Sequence, residues 1–154
     1  MVYRVAQVNI GRLVAPLDSE QLIGFVAALD PVNASADEAP GFVWRLQTDE
    51  GNATAVQAFE WEIQGAAGVI INMSVWQSIE QLSEWVYGPL HRAVLVQRRN
   101  WFERLSEATT ALWWVREGHL PSTEEAESRV LHLREHGPTP TAFNFKVVFD
   151  PPEV

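Results

Sequence analysis

Val69-Ile70-Ile71-Asn72-Met73-Ser74-Val75-Trp76 is the stretch on which the fold turns. Val69, Ile71, Met73 and Val75 form one row, and Ile70, Asn72, Ser74 and Trp76 form the other. Period-two alternation of this kind is a strand. Both rows hold large apolar side chains, so the strand needs cover on both sides. Asn72 and Ser74 break the second row, and polar groups in a covered sheet require partners.

Working outward, Ser78 with Gln81 predicts a capped helix carrying Ile79, Leu82, Trp85 and Val86. Gly88-Pro89 ends it, and Pro89 suits the first turn of a second helix running to about Leu105. Thr109 to Val115 reads as another strand. Upstream, Phe42 to Gln47 is a strand closed by Asp49-Glu50-Gly51-Asn52, which is turn chemistry. Residues 52–67 form a long connection with a short strand near Ala58 to Glu62. Residues 3–11 alternate, with Ala6, Val8 and Ile10 opposite Gln7 and Asn9. Asp18 with Gln21 resembles a capping box before Leu22, Phe25, Val26 and Leu29. Asp30-Pro31 is expected to kink or end that helix, with a further turn through Val32 to Asp37. Beyond residue 116, Ser122 with Glu125 caps a last helix that stops at His136-Gly137-Pro138. Phe143, Phe145, Val147 and Phe149 alternate with Asn144, Lys146 and Val148, which predicts an added strand.

The order β-α-β-β-α-β, followed by a helix and a strand, is the α+β, ferredoxin-like pattern. It places the first and third strands side by side, with helices on one face. One domain fits the 154 residues, with a core over about 3–116 and an extension over about 117–154. The uncovered face needs a second subunit or the C-terminal segment. Seven Trp and seven Phe favour a homodimer whose sheets pack face to face.

Composition excludes several functions. There are no cysteines, so no thiolate chemistry or disulfide is expected. A formal charge of −9 opposes binding to nucleic acid and to an anionic membrane. The first ten residues lack an apolar targeting segment, and the apolar run from Ala66 to Val75 is too short to span a bilayer. The expected location is the cytoplasm. No two histidines share a metal-ligand spacing, so no metal is expected.

Two constellations carry chemistry. With the first and third strands paired, Gln7 and Asn9 approach Asn72 and Ser74, and Arg45 and Gln47 can join them. On a helix from Pro89 to Leu105, His91 and Arg98 fall in the arc of Val94, Leu95, Trp101, Phe102 and Leu105, while Arg99 and Glu103 face outward. A buried guanidinium must be paired, and a histidine titrating near neutrality can serve as acid or base. His91 and Arg98 are the candidate catalytic pair. Asn9, Asn72, Ser74, Trp76, Tyr87 and Trp101 are the candidate ligand-binding set, the tryptophans as walls and Tyr87 presenting its hydroxyl near His91.

Several motifs together resemble one bacterial family. They are Val8-Asn9-Ile10-Gly11-Arg12-Leu13, Pro40-Gly41-Phe42-Val43-Trp44-Arg45-Leu46 and Asn72-Met73-Ser74-Val75-Trp76. His91 with Arg98-Arg99-Asn100-Trp101-Phe102, Trp113-Trp114-Val115-Arg116-Glu117-Gly118-His119 and Gly137-Pro138-Thr139-Pro140-Thr141-Ala142-Phe143 complete the set. The chain resembles the family of domain of unknown function 3291. That family is similar to the dimeric α/β-barrel superfamily of antibiotic-biosynthesis-type monooxygenases and some haem-binding enzymes. The resemblance implies the fold and the dimer, and transfers no catalytic residue. The expected ligand is a small aromatic or apolar organic molecule, turned over without a cofactor by a monooxygenase-like reaction. The alternatives are a non-catalytic ligand-binding module, a structural dimer without ligand and, last, haem bound through His91.

Overall fold

The computed structural model describes residues 2–153. Nine elements follow in order. They are β1 (Tyr3–Arg12), α1 (Ile23–Asp37), β2 (Phe42–Arg45), β3 (Val69–Trp76), α2 (Ile79–Val86), α3 (Pro89–Leu95), α4 (Arg98–Trp101), β4 (Thr110–Arg116) and α5 (Thr123–His136). Short 3-10 turns lie at Glu20–Leu22 and Glu60–Glu62. The sheet is antiparallel, in the order β2-β3-β1-β4. That is the ferredoxin-like arrangement, with β1 and β3 at the centre as alternation required.

Register fixes what each face presents. Val8 opposes Met73 and Ala111, and Ala6 opposes Val75 and Trp113. These side chains form one buried cluster with Ala126, Val130 and Leu133 of α5 and with Phe59. The spacing of the three α5 residues puts them on one helical face. Ser122 begins α5 by accepting a hydrogen bond from the Glu125 amide at 3.1 Å, and Gly137 ends it at φ 73°. The face left open by a ferredoxin-like core is therefore covered by the chain's own C-terminal helix. Ala6, Val8 and Trp113 are 0% exposed without any second copy, so face-to-face sheet packing has nothing there to bury. This corrects the expected mode of dimerisation.

The opposite face meets α1 to α4. Val5, Trp76, Leu82, Leu112 and Phe143 cluster with Ala36 at one end. Leu13, Leu22, Phe25 and Trp101 cluster at the other, with Ile70 and Phe102 packed on them. Between the two clusters lies the polar row.

Four local expectations are overturned. The helix expected from Pro89 to Leu105 is two short helices. Phe102 is extended at φ −126° and ψ 145°, and it bridges Leu13 at the end of β1. The Glu103 amide donates to the Arg12 carbonyl at 2.8 Å, and the Phe102 ring meets Phe25 edge-on at 5.2 Å. Strand pairing and aromatic packing override helix continuation there. The strand expected near 58–62 is a 3-10 turn entered by Phe59 at φ 57°. Glu127 of α5 holds it, accepting from the Phe59 amide at 2.9 Å and the Trp61 indole at 3.0 Å. The added C-terminal strand reduces to one bridge between Phe143 and Leu112. Asn144 then turns the chain by accepting from the amides of Lys146 and Val147. Finally, no side-chain cap precedes α1, although the helix holds Pro31 and runs on through Val32 to Asp37, where a further turn was expected.

No helix among the described residues is long and apolar enough to cross a membrane.

Candidate functional site

The polar row crosses all four strands on the α1 side. Gln7 opposes Ser74 and Asn9 opposes Asn72, so the four residues expected to approach on one face do so. Arg45 opposes Ser74 from β2, and Thr110 opposes Asn9 from β4. The Gln7 amide donates to Asn72 Oδ1 at 2.7 Å and to Ser74 Oγ at 2.8 Å. Asn9 donates to Thr110 Oγ1 at 2.6 Å. Gln7 and Ser74 are buried, whereas Asn9 is exposed and Asn72 half-buried.

Above this floor is a cleft of about 480 Å³, within the range that holds small-molecule ligands. Gln7, Asn9 and Asn72 line its base, and Phe25, Trp85, Trp101 and Phe102 give apolar walls. Tyr87, His91, Arg98 and Arg99 come from the segment that α2, α3 and α4 fold over it. That segment stands off the sheet because of its breaks: Gly88-Pro89 separates α2 from α3, and Val96-Gln97 separates α3 from α4.

His91 is the most chemically defined group. Its Nδ1 lies 2.9 Å from the Val86 carbonyl oxygen. A carbonyl only accepts, so Nδ1 carries the proton and Nε2 keeps its lone pair. Burial lowers the pKa below the usual histidine value, against an opposing effect of that carbonyl bond. The ring rests on Trp85 at 4.5 Å between centroids, and Trp85 in turn stacks on Trp76 at 5.5 Å. The indole of Trp85 donates to Ser35 Oγ at 3.0 Å, which fixes the platform beneath the imidazole. A neutral, oriented imidazole with a free nitrogen is a general base.

Of the residues expected at the site, Asn9, Asn72, Tyr87, His91, Arg98 and Trp101 all line the cleft. Trp76 and Ser74 do not. Trp76 is 0% exposed, and its indole donates to Ser74 Oγ at 2.8 Å, so both complete the core beneath the floor. Arg98 is exposed rather than buried, because the helix that would have carried it inward ends at Leu95. The same break brings Arg99 into the lining, where a continuous helix would have turned it to solvent. Trp85, Phe25 and Phe102 also line the cleft. Trp85 is one of seven tryptophans, and only the fold separates it from Trp76.

Several arginines are engaged within the protein. Arg45 holds Asp37 at 2.7 Å and the Gly51 carbonyl at 2.7 Å. Arg12 holds Glu103 at 2.8 Å and also bonds the Glu62 carbonyl. Arg134 Nη1 stands 2.6 Å from Glu62 Oε2, a charge contact without hydrogen-bond geometry. Among the described residues, no group of three or more His, Cys, Asp or Glu is placed to hold a metal ion.

A family model described as a domain of unknown function (DUF3291) matches residues 4–154. No curated protein matches the chain. A candidate antibiotic biosynthesis monooxygenase from Chloroflexus aurantiacus J-10-fl, known as a crystal structure, is similar at 13% identity with a TM-score of 0.42. The match covers 78% of this chain and 98% of that one.

Proposed function

The chain belongs to the domain of unknown function family DUF3291, and on that premise we propose that it binds a small, flat organic molecule in the cleft between the polar row and α1 to α4. The observation that carries this reading is His91, with its unpartnered Nε2 in a cleft of about 480 Å³ walled by Trp85 and Trp101. In this reading the ligand's aromatic or apolar body lies between the indoles. Asn9 and Asn72 orient its polar groups from the floor. His91 removes an acidic proton, and Arg98 at the mouth stabilises negative charge on the ligand. Proton removal from an electron-rich aromatic is the step that would suit a monooxygenase-like reaction without a cofactor. A non-catalytic binding module is the second reading. It is favoured by the floor, where Gln7, Asn72 and Ser74 already satisfy one another.

The test is a fluorescence screen of phenols and enolisable aromatic ketones, using Trp85 and Trp101 as reporters. Binding is expected in the wild type and is expected to vanish in a His91→Leu/Arg98→Leu double variant. Equal binding by both proteins, or no binding by either, overturns the proposal. Turnover of a bound compound separates the enzyme from the binding module.

A further inference from the structure

Charge is distributed against the trend of the molecule at the cleft. The chain carries a formal charge of −9, with 20 acidic against 11 basic side chains. The cleft lining nevertheless contains four arginines (Arg12, Arg45, Arg98 and Arg99) and a single carboxylate, Glu103. Glu103 is spent on Arg12 at 2.8 Å, and Arg45 is matched by Asp37. The guanidiniums of Arg98 and Arg99 have no hydrogen bond or ion pair among the described residues. Elsewhere Arg4, Arg129 and Arg134 have partners, in Glu117, the Thr141 carbonyl and Glu62, whereas the exposed Arg92, Arg104 and Arg116 have none among those residues. Place sets Arg98 and Arg99 apart from those three: they are adjacent, and both line the same cleft.

We infer that the ligand of the cleft is an amphipathic anion, whose flat apolar body enters between Trp85 and Trp101 and whose carboxylate or other permanent negative group is held at the mouth by Arg98 and Arg99. The inference rests on the proposed binding cleft and adds the charge of what fills it. Two adjacent guanidiniums offer planar forks that match a carboxylate, sulfonate or phosphate. A concave opening with low-dielectric walls concentrates their field, so an anion is drawn in despite the net charge of the protein. The apolar walls exclude a bare inorganic anion as the intended occupant, because such an ion would leave Phe25, Trp85 and Trp101 facing water.

A matched pair of probes tests this. 8-Anilinonaphthalene-1-sulfonate and N-phenyl-1-naphthylamine share a body and differ by one negative charge. With the wild-type protein at low salt, the sulfonate is expected to bind about tenfold more tightly. That advantage is expected to shrink as salt is raised, since the mouth is open to solvent. In an Arg98→Gln/Arg99→Gln variant the two probes are expected to bind alike. Arg104→Gln removes an exposed arginine outside the lining and is expected to keep the advantage. Equal affinities in the wild type overturn the anionic ligand while leaving the cleft intact. So does an advantage that survives the double variant, or one lost equally in Arg104→Gln. Failure of both probes to bind overturns the cleft reading itself.

Discussion

On the α5 side of the sheet the apolar side chains of Ala6, Val8, Met73, Val75 and Trp113 close on one another and on α5; on the α1 side, Gln7, Asn9, Asn72 and Thr110 sit in the same strands, bond one another and border an open cleft. The two faces share a backbone, a twist and a register. They differ in what the alternate residues are and in what the chain returns to cover them. Burial of the first face needs only apolar area and a helix with Ala126, Val130 and Leu133 on one side. The second face keeps its amides bonded to each other and holds its covering helices apart, which leaves room for about 480 Å³ of cleft. The closed face is thus one continuous apolar cluster, whereas the other face has two, with the polar row and the cleft between them.

The largest effect should fall on the closed face. Phe59 is 0% exposed within that cluster, on a turn that enters at φ 57° and is tethered by Glu127. Phe59→Ala is expected to cost about 3–5 kcal/mol through lost burial and a residual cavity. Urea unfolding would show it as a lower midpoint at an unchanged slope. A loss below about 1 kcal/mol would mean that this face is not a packed core.

The polar row offers an internal contrast of intermediate size. Ser74 Oγ is a buried acceptor shared by Gln7 and the Trp76 indole, so Ser74→Ala strands two buried donors and is expected to cost about 1–3 kcal/mol. Asn72 also accepts from Gln7, but it borders the cleft, where water can replace it. Asn72→Ala is therefore expected to cost less than about 1 kcal/mol while weakening ligand binding. Equal losses for the two substitutions, read by denaturation, would mean that the row is uniformly dry and the cleft closed.

That contrast also marks how far the sequence can be read. Alternation in residues 3–11 and 69–76 marked the two strands and the face of each polar residue, and the order of elements placed β1 beside β3, so Gln7 and Asn9 were expected near Asn72 and Ser74; the pairing of Gln7 with Ser74 and of Asn9 with Asn72 comes from the structure. His91 was read from an apolar arc drawn on one helix, of which α3 holds only Val94 and Leu95. Arg98 and Arg99 were placed by a helical wheel that assumes an unbroken helix, whereas the helix breaks at Val96-Gln97 before them and again at Phe102, which bridges Leu13, a partner far away in sequence. Residues 143–149 alternate as a strand would, but Asn144 diverts the amides of Lys146 and Val147 into a turn after one bridge. Trp76 and Trp85 are alike as letters. Only the position of Ser74 beneath one, and of His91 upon the other, makes the first a core residue and the second a wall. The cover of the closed face was open between a partner and the C-terminus, since apolar strands record a need for burial without recording its source.

The smallest effect concerns His91 and joins the two faces through pH. Burial lowers the histidine's pKa in the folded state, so the unfolded chain takes up a proton that the folded protein resists. Stability is therefore whole above the ordinary histidine value and falls as pH drops through it towards the lowered folded value. His91→Gln keeps a donor for the Val86 carbonyl and removes the titration. The wild type is expected to lose more thermal stability than His91→Gln between about pH 7.5 and pH 5.5, with the two converging at the upper end. Parallel curves for wild type and His91→Gln would place the imidazole in water. It would then be an ordinary surface imidazole, and the proposed base of the cleft would lose the burial that lowers its pKa.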